Sequence, residues 1–317
     1  TNPDNSKAFI PYTSENIGLG KITGGHDTLT SEGVLLKEKV HNQTDQDGGI
    51  DFRDKMVREA LPSLRTGAHD EDTNEVVNNI QPDPPVGPNG WGNYLYHFYN
   101  PNTGTGLKGV FKPTPERAKD YAQEIKKKLG CKELSKLSPN DKNKIYDSFG
   151  RILHLLQDMG NSAHTNDDIH VFTSSIEDYV KDNWAEIVQS DSFKNAVTPE
   201  EYRKGNFDAV NPFHPKPLMK TLASVSSSYP TDGFWGKLTD EQVKEQVKDL
   251  TPWTILMTAG YIDAVYKLMS GPGSVDCVEP PPDPSDPAGD HPDDRFDVSD
   301  EFYWEKEHKI GEKELVD

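Results

Sequence analysis

His154-Leu-Leu-Gln-Asp158-Met-Gly-Asn-Ser-Ala-His164 gathers two imidazoles and a carboxylate within eleven residues. His154 and Asp158 stand at i and i+4, which stacks two side chains on one face of a helix about a turn apart. Imidazole nitrogen and carboxylate oxygen are the atoms zinc favours in catalytic sites, bound at ~2.0–2.2 Å. A histidine and an aspartate on a helix more often sit in solvent. Here the apolar positions Ile145, Phe149, Ile152, Leu153, Leu156 and Met159 wrap most of the circumference, so the pair is expected to point inward. A buried ionised carboxylate is expensive unless it is paired or metal-bound. Burial therefore favours a metal site.

The helix that must carry the pair is well marked. Ser138-Pro139-Asn140-Asp141 supplies an N-cap, a proline at the first helical position and an acid in the first turn. Gly150, one turn before His154, leaves room on the same stripe. Gly160-Asn161 stops the helix, and His164 falls just beyond, where the chain can fold back. Other segments carry the same chemistry more weakly. Gly67-Ala68-His69-Asp70-Glu71-Asp72 follows an apolar run through Met56, Ala60, Leu61 and Leu64 and reads as a loop. Tyr94-Leu95-Tyr96-His97-Phe98-Tyr99-Asn100-Pro101 sets a histidine among aromatics ahead of a turn. His26 lies just before a helical run at 34–40. Each is an ordinary feature alone; their order along one chain is what counts.

On these segments, with Ile176-Glu177-Asp178-Tyr179-Val180 and Thr258-Ala259-Gly260-Tyr261-Ile262, the chain resembles the bacterial zinc-dependent phospholipase C family. Single-strand-specific zinc nucleases share that family's fold. The matching segments span about residues 24–270. The resemblance implies an all-α fold, a single multi-helix domain around a cluster of two or three zinc ions. By motif position it implies that Asp72, His97, His154 and Asp158 bind the first zinc, with Asp158 bridging onward. His164 and Glu177 would bind the second, and His26 would join Asp158 at the third. Asp72 and Asp158 would also orient or deprotonate the attacking water. Tyr94 matches an aromatic lining position, where a ring can face a quaternary ammonium group.

Two departures stand out. The family usually has a histidine four residues before the glutamate; this chain has Thr173 there. His170 is the expected substitute if it precedes the helix, and Asp168 is the other. Family members often begin with a tryptophan that completes the third site, and residues 1–25 contain none. The ligands of a third ion are therefore open. Thr73 follows Asp72 where choline-preferring members often have tyrosine, which leaves the head group open too.

Residues 1–272 are long enough for one large helical domain. Only 33% of the 317 residues are hydrophobic, so long loops are expected, at 82–88 and 206–217. No stretch approaches the ~18 apolar residues of a membrane span, and no signal peptide is visible. With the resemblance, that implies a mature chain secreted or otherwise extracytoplasmic. Cys131 and Cys277 fit either a bridge or two separate thiols. Residues 273–317 form an acidic, proline-rich tail or linker with 15 acidic and 4 basic residues, a net of −11 out of the chain's −19. Such a segment buries too little apolar surface to fold alone, although Phe302-Tyr303-Trp304 offers an anchor. Nucleic acid is not expected as a partner, since polyanion binding needs a basic track. The expectation is a monomeric phospholipase C cleaving glycerophospholipids at a membrane surface into diacylglycerol and a phosphorylated head group. The alternatives are a zinc-dependent single-strand nuclease on the same fold and an inactive metal-binding protein.

Overall fold

Apolar residues recurring every third or fourth position dominate this chain, and they become helices. The computed structural model describes residues 25–44, 51–71, 94–130, 132–168, 175–205, 210–233 and 237–270. The elements are α1 (His26–Thr44), a π-helical stretch (Arg53–Ala60) that runs into α2 (Leu61–Asp70), a 3-10 turn (Tyr94–Tyr96), α3 (Thr114–Leu129) and α4 (Pro139–Asp158). Then come α5 (Ser162–Thr165), α6 (Ser175–Gln189), α7 (Asp191–Ala196), α8 (Pro199–Lys204), α9 (Lys216–Ser226) and α10 (Asp240–Ser270). Among the described residues there is no strand, and one isolated bridge joins Asn100 to Thr105. The chain is all-α, as expected.

The central helix, α4, forms as its sequence predicts. Ser138 caps it, accepting from Asp141 N at 3.2 Å. Ile145, Phe149, Ile152, Leu153, Leu156 and Met159 are all fully buried. Burying a side chain of that size contributes about 1.5–3 kcal/mol each, so α4 is held by its surroundings rather than by propensity.

Two glycines set how closely α2 and α4 cross. A Cβ on Gly150 would stand 2.1 Å from the carbonyl oxygen of Leu64, and one on Gly67 would stand 2.0 Å from that of Asp147. Each helix thus presses its backbone against a glycine of the other. Gly150 leaves room, as the sequence indicates, but for a neighbouring backbone. The segment 67–72, which reads as a loop in the sequence, is helical through Asp70. The apolar run that begins at Met56 continues one more turn because the glycine-to-glycine crossing buries Gly67 and Ala68.

Helix α1 lies against α10, with Gly33 backed on Thr258 and Ile262. The sequence sets His26 ahead of a helix; it is instead the first residue of α1. Ser31 Oγ bonds back to the Asp27 carbonyl at 2.9 Å within this first stretch. At the other end of α1, Asp263 of α10 receives Lys37 at 2.9 Å and Lys267 at 2.9 Å, with His41 at 3.6 Å. The expected loop 206–217 yields to α9 from Lys216. The loop at 82–88, both cysteines and the tail from 273 lie outside the described residues.

Candidate metal centre

Asp158 ends α4 inside the molecule, with only 2% of its surface exposed, and four imidazoles surround it. His97 Nδ1 is 3.0 Å from its Oδ2, and His154 Nε2 is 3.4 Å from the same oxygen. His26 Nε2 is 3.4 Å from Oδ1, and His164 Nε2 is 3.7 Å from it. His97 Nδ1 and His154 Nε2 are 3.3 Å apart. Glu177 Oε1 sits 3.2 Å from His164 Nε2.

These distances test whether the residues suit a metal. Two ligand atoms on one tetrahedral zinc, each bound at ~2.0–2.1 Å, stand about 3.3 Å apart. The triangle of His97, His154 and Asp158 Oδ2 has edges of 3.0, 3.3 and 3.4 Å. That is one face of such a tetrahedron. Asp158 Oδ2 receives no aligned hydrogen bond among the described residues despite its two imidazole neighbours. His26, His154 and Asp158 also form a compact potential ligand group by themselves, all ligand atoms within 4.8 Å. The His97 triangle has all three edges between 3.0 and 3.4 Å. The donor types fit a metal such as zinc at the Oδ2 side of the carboxylate, and on the Oδ1 side His26 and His164 stand at 3.4 and 3.7 Å.

Each of these side chains is held by a neighbouring element. His154 Nδ1 is 2.6 Å from the Ala68 carbonyl of α2, so that nitrogen carries the proton and Nε2 faces Asp158. His97 is bracketed by α3, where Thr114 Oγ1 donates to Tyr96 O at 3.0 Å and Thr114 N to Phe98 O at 3.1 Å. Asn161 does two jobs. Its oxygen caps α5 through Ala163 N at 3.1 Å, and its amide nitrogen donates to Glu177 Oε1 at 2.7 Å. The Gly160-Asn161 stop therefore also starts the short helix that turns His164 back to the stripe. Arg65 of α2 donates to Asp27 at 2.6 Å and fastens the start of α1 beside His26.

Burial alone would push the Asp158 carboxyl up; the imidazoles of His154, His164 and His97 outweigh it and hold it well below the usual carboxylate range. Asp158 thus stays anionic. The floor of the site is closed, with His154 fully buried and His97 and His164 nearly so. The rim is open at Glu177, whose side chain is 41% exposed, and at His26, 21% exposed.

Three contributions lie outside what spacing alone reveals. Gln157 reaches His26 Nδ1, with its Oε1 3.1 Å away. The Ala68 carbonyl has no side-chain signature. A buried network closes the end of α2: Arg151 donates to Glu71 Oε2 at 3.0 Å and to the Asp70 carbonyl at 3.1 Å, and Tyr121 donates to Glu71 at 2.5 Å. Burial, and then the charge of Glu71, push the Tyr121 hydroxyl far up, so it remains a donor. The available signal is a polar residue inside an apolar stripe, as Arg151 and Gln157 both are. Asp72, next after Glu71, lies outside the described residues, as do His170, Thr173 and the side chain of Tyr94. Asp168 accepts from Gly233 N at 2.6 Å.

No protein-family model matches the chain, and no curated protein matches it. Solved structures do. The alpha toxin of Clostridium absonum aligns at 15% identity with a TM-score of 0.54, over 82% of this chain and 67% of that one. The alpha-toxin of an avian strain of Clostridium perfringens aligns at 14% identity with a TM-score of 0.49, over 79% of this chain and 65% of that one. The chain thus spans about two thirds of each toxin's length. Its helices adopt the fold of the Clostridium absonum alpha toxin, in agreement with the all-α architecture implied by the sequence resemblance.

Proposed function

We propose that this chain is a zinc-dependent phosphodiesterase, a phospholipase C that hydrolyses glycerophospholipids to diacylglycerol and a phosphorylated head group. The observation that carries the reading is the carboxylate of Asp158 shared between two sets of imidazoles, His97 and His154 at one oxygen, His26 and His164 at the other. His97, His154 and Asp158 would hold one zinc ion, with Asp72 completing the set. His164 and Glu177 would hold a second, with His170 in place of the residue at Thr173. The chemistry zinc supplies in such a site is neutralisation of charge at a phosphoryl group and a lowered pKa for water.

The protein's own groups divide the remaining work. Asp158 keeps its negative charge and has two imidazoles within 3.0–3.7 Å of each oxygen, so it organises the imidazoles rather than accepting a proton. Asp72 is then the proposed proton acceptor; the residue before it in the chain, Glu71, is fully buried. The open rim at Glu177 and His26 admits a phosphodiester, while the closed floor keeps bulk water from the imidazoles. Tyr94 is the proposed aromatic contact to the head group. The substrate class is supported by the sequence resemblance and by the net charge of −19, which disfavours a polyanion. An exported chain acting at a membrane surface is part of the same proposal; among the described residues no helix is long and apolar enough to cross a membrane.

The deciding experiment measures head-group release from phosphatidylcholine vesicles beside digestion of single-stranded DNA, with zinc and with a chelator. Zinc-dependent lipid turnover is expected. DNA cleavage without lipid turnover would replace the phospholipase with a nuclease. Fully metallated protein that turns over neither would be a binding protein.

A further inference from the structure

The two ring nitrogens of His26 face different partners. Nδ1 lies 3.1 Å from Oε1 of Gln157, and Nε2 lies 3.4 Å from Oδ1 of Asp158. In a neutral imidazole one nitrogen carries the proton and the other a lone pair, and the hydrogen bond at one fixes the state of the other. If Nε2 holds the proton, its contact with Asp158 is a hydrogen bond and His26 binds no metal. If Nδ1 holds it, Nε2 turns a lone pair toward an anionic oxygen, an arrangement that needs a cation.

Gln157 decides between the two. It is nearly fully buried, in the residue position just before Asp158. Its amide nitrogen points at Thr30 Oγ1 of α1, 3.0 Å away, and at Thr258 Oγ1 of α10, 3.5 Å away. A threonine inside a helix has a carbonyl one turn back to receive its hydroxyl proton, which leaves its lone pairs for an N–H donor. With the amide nitrogen so directed, the amide oxygen faces His26 and accepts from Nδ1–H. The start of α1 is fixed independently by the Arg65–Asp27 pair, and the His26 ring lies on that of His154 with centroids 3.8 Å apart. The ring can therefore hardly swing away from the amide.

We propose that Gln157 is a positioning residue: its side-chain oxygen holds His26 in the Nδ1–H tautomer, so that Nε2 binds a metal ion on the Oδ1 side of Asp158. This rests on the metal reading of the site. It gives His26 a role set by α4 itself, with Thr30 and Thr258 as the supports that aim the amide.

Two measurements test it: zinc equivalents and affinity by titration, and histidine ring tautomers by nitrogen-15 NMR of the zinc-loaded protein. In the unaltered chain, His26 should carry its proton on Nδ1. Gln157→Leu should lose one zinc equivalent or bind it ten- to a hundredfold more weakly, the usual range for a lost outer partner, while the zinc at His97 and His154 remains. Gln157→Glu, which keeps an acceptor, should restore the full count. A proton on Nε2 of His26 in the zinc-loaded chain would overturn the proposal, as would an unchanged zinc count and affinity in Gln157→Leu. Should that variant not fold, the tautomer in the unaltered chain settles the question. A failure of this inference alone leaves zinc bound at His97 and His154. An unaltered chain that binds no zinc brings down the metal reading as well.

Discussion

The carboxylate of Asp158 has an unusual task. It is buried, it remains charged, and its two oxygens serve different imidazoles. Removing one of those imidazoles leaves the charge poorly compensated. His154→Ala should therefore abolish phosphodiester hydrolysis and lower bound zinc by at least one equivalent, as measured by metal analysis after gel filtration. Asn161 is a quieter case. Its oxygen caps α5 and its nitrogen holds Glu177, so Asn161→Ala removes a cap worth about 1 kcal/mol. The same change should weaken zinc binding at His164 and Glu177 about ten- to a hundredfold. Zinc titration and a urea melt separate the two effects: a cap alone would move only the melt.

At the scale of elements, the site depends on how close α2 comes to α4. The Ala68 carbonyl reaches His154 only because Gly67 and Gly150 let the backbones touch. Gly150→Ala puts a methyl group against the Leu64 carbonyl, and overpacking of this kind costs about 1–3 kcal/mol. We expect a lower denaturation midpoint together with weaker zinc binding, because the helices must part where they orient His154. Weaker folding with unaltered zinc affinity would uncouple the crossing from the site. The opposite end of α1 carries a second test. Burial would raise the Asp263 carboxyl, but His41, Lys37 and Lys267 outweigh it and hold it well below the usual range. Its folded pKa is thus lower than its unfolded value of about 3.9. The stability it contributes is present above that value and fades as the pH falls through the folded one. Asp263→Asn should destabilise the chain at pH 7 by about 3–5 kcal/mol, since it strips a carboxylate from the buried Lys37. The difference from the unaltered chain should shrink below about pH 4. Urea melts across that range check both the size and the sign.

Across the whole molecule, the proposed metal site would link binding to folding. A ligand that binds only the folded state stabilises it by mass action, by about 4 kcal/mol when it is present at a thousand times its dissociation constant. Stripping zinc with a chelator should lower the melting temperature and abolish activity, and added zinc should restore both. The imidazoles must be neutral to bind, so zinc protection should also weaken as the pH falls below the histidine range. Net charge acts at this scale as well. Of the −19, −8 belongs to residues 1–272 and −11 to residues 273–317. Vesicles rich in anionic lipid should be hydrolysed more slowly than zwitterionic ones, and added salt should narrow the gap because it screens like-charge repulsion.

The sequence determined α4 almost completely. Its cap, its apolar stripe and the i, i+4 pair are local patterns, and a helix's period converts them directly into a face. The sequence's resemblance to a known family implied the all-α class and the residue types of the site, and among the described residues His26, His97, His154, Asp158, His164 and Glu177 lie together. What the tertiary structure decided is how they are held. The Ala68 carbonyl, the reciprocal glycines 67 and 150, the amide of Gln157 and the double use of Asn161 all depend on contacts between residues far apart in the chain or on backbone atoms without a side-chain signature. The same cause explains the helix that runs on through Asp70 where the local pattern reads as a loop. An acidic stretch reads as solvated when only its own residues are considered, but Arg151 and Tyr121, 80 and 50 residues further along, turn its end into the edge of the core. Spacing and resemblance named the candidate residues; packing supplied the partners that orient them.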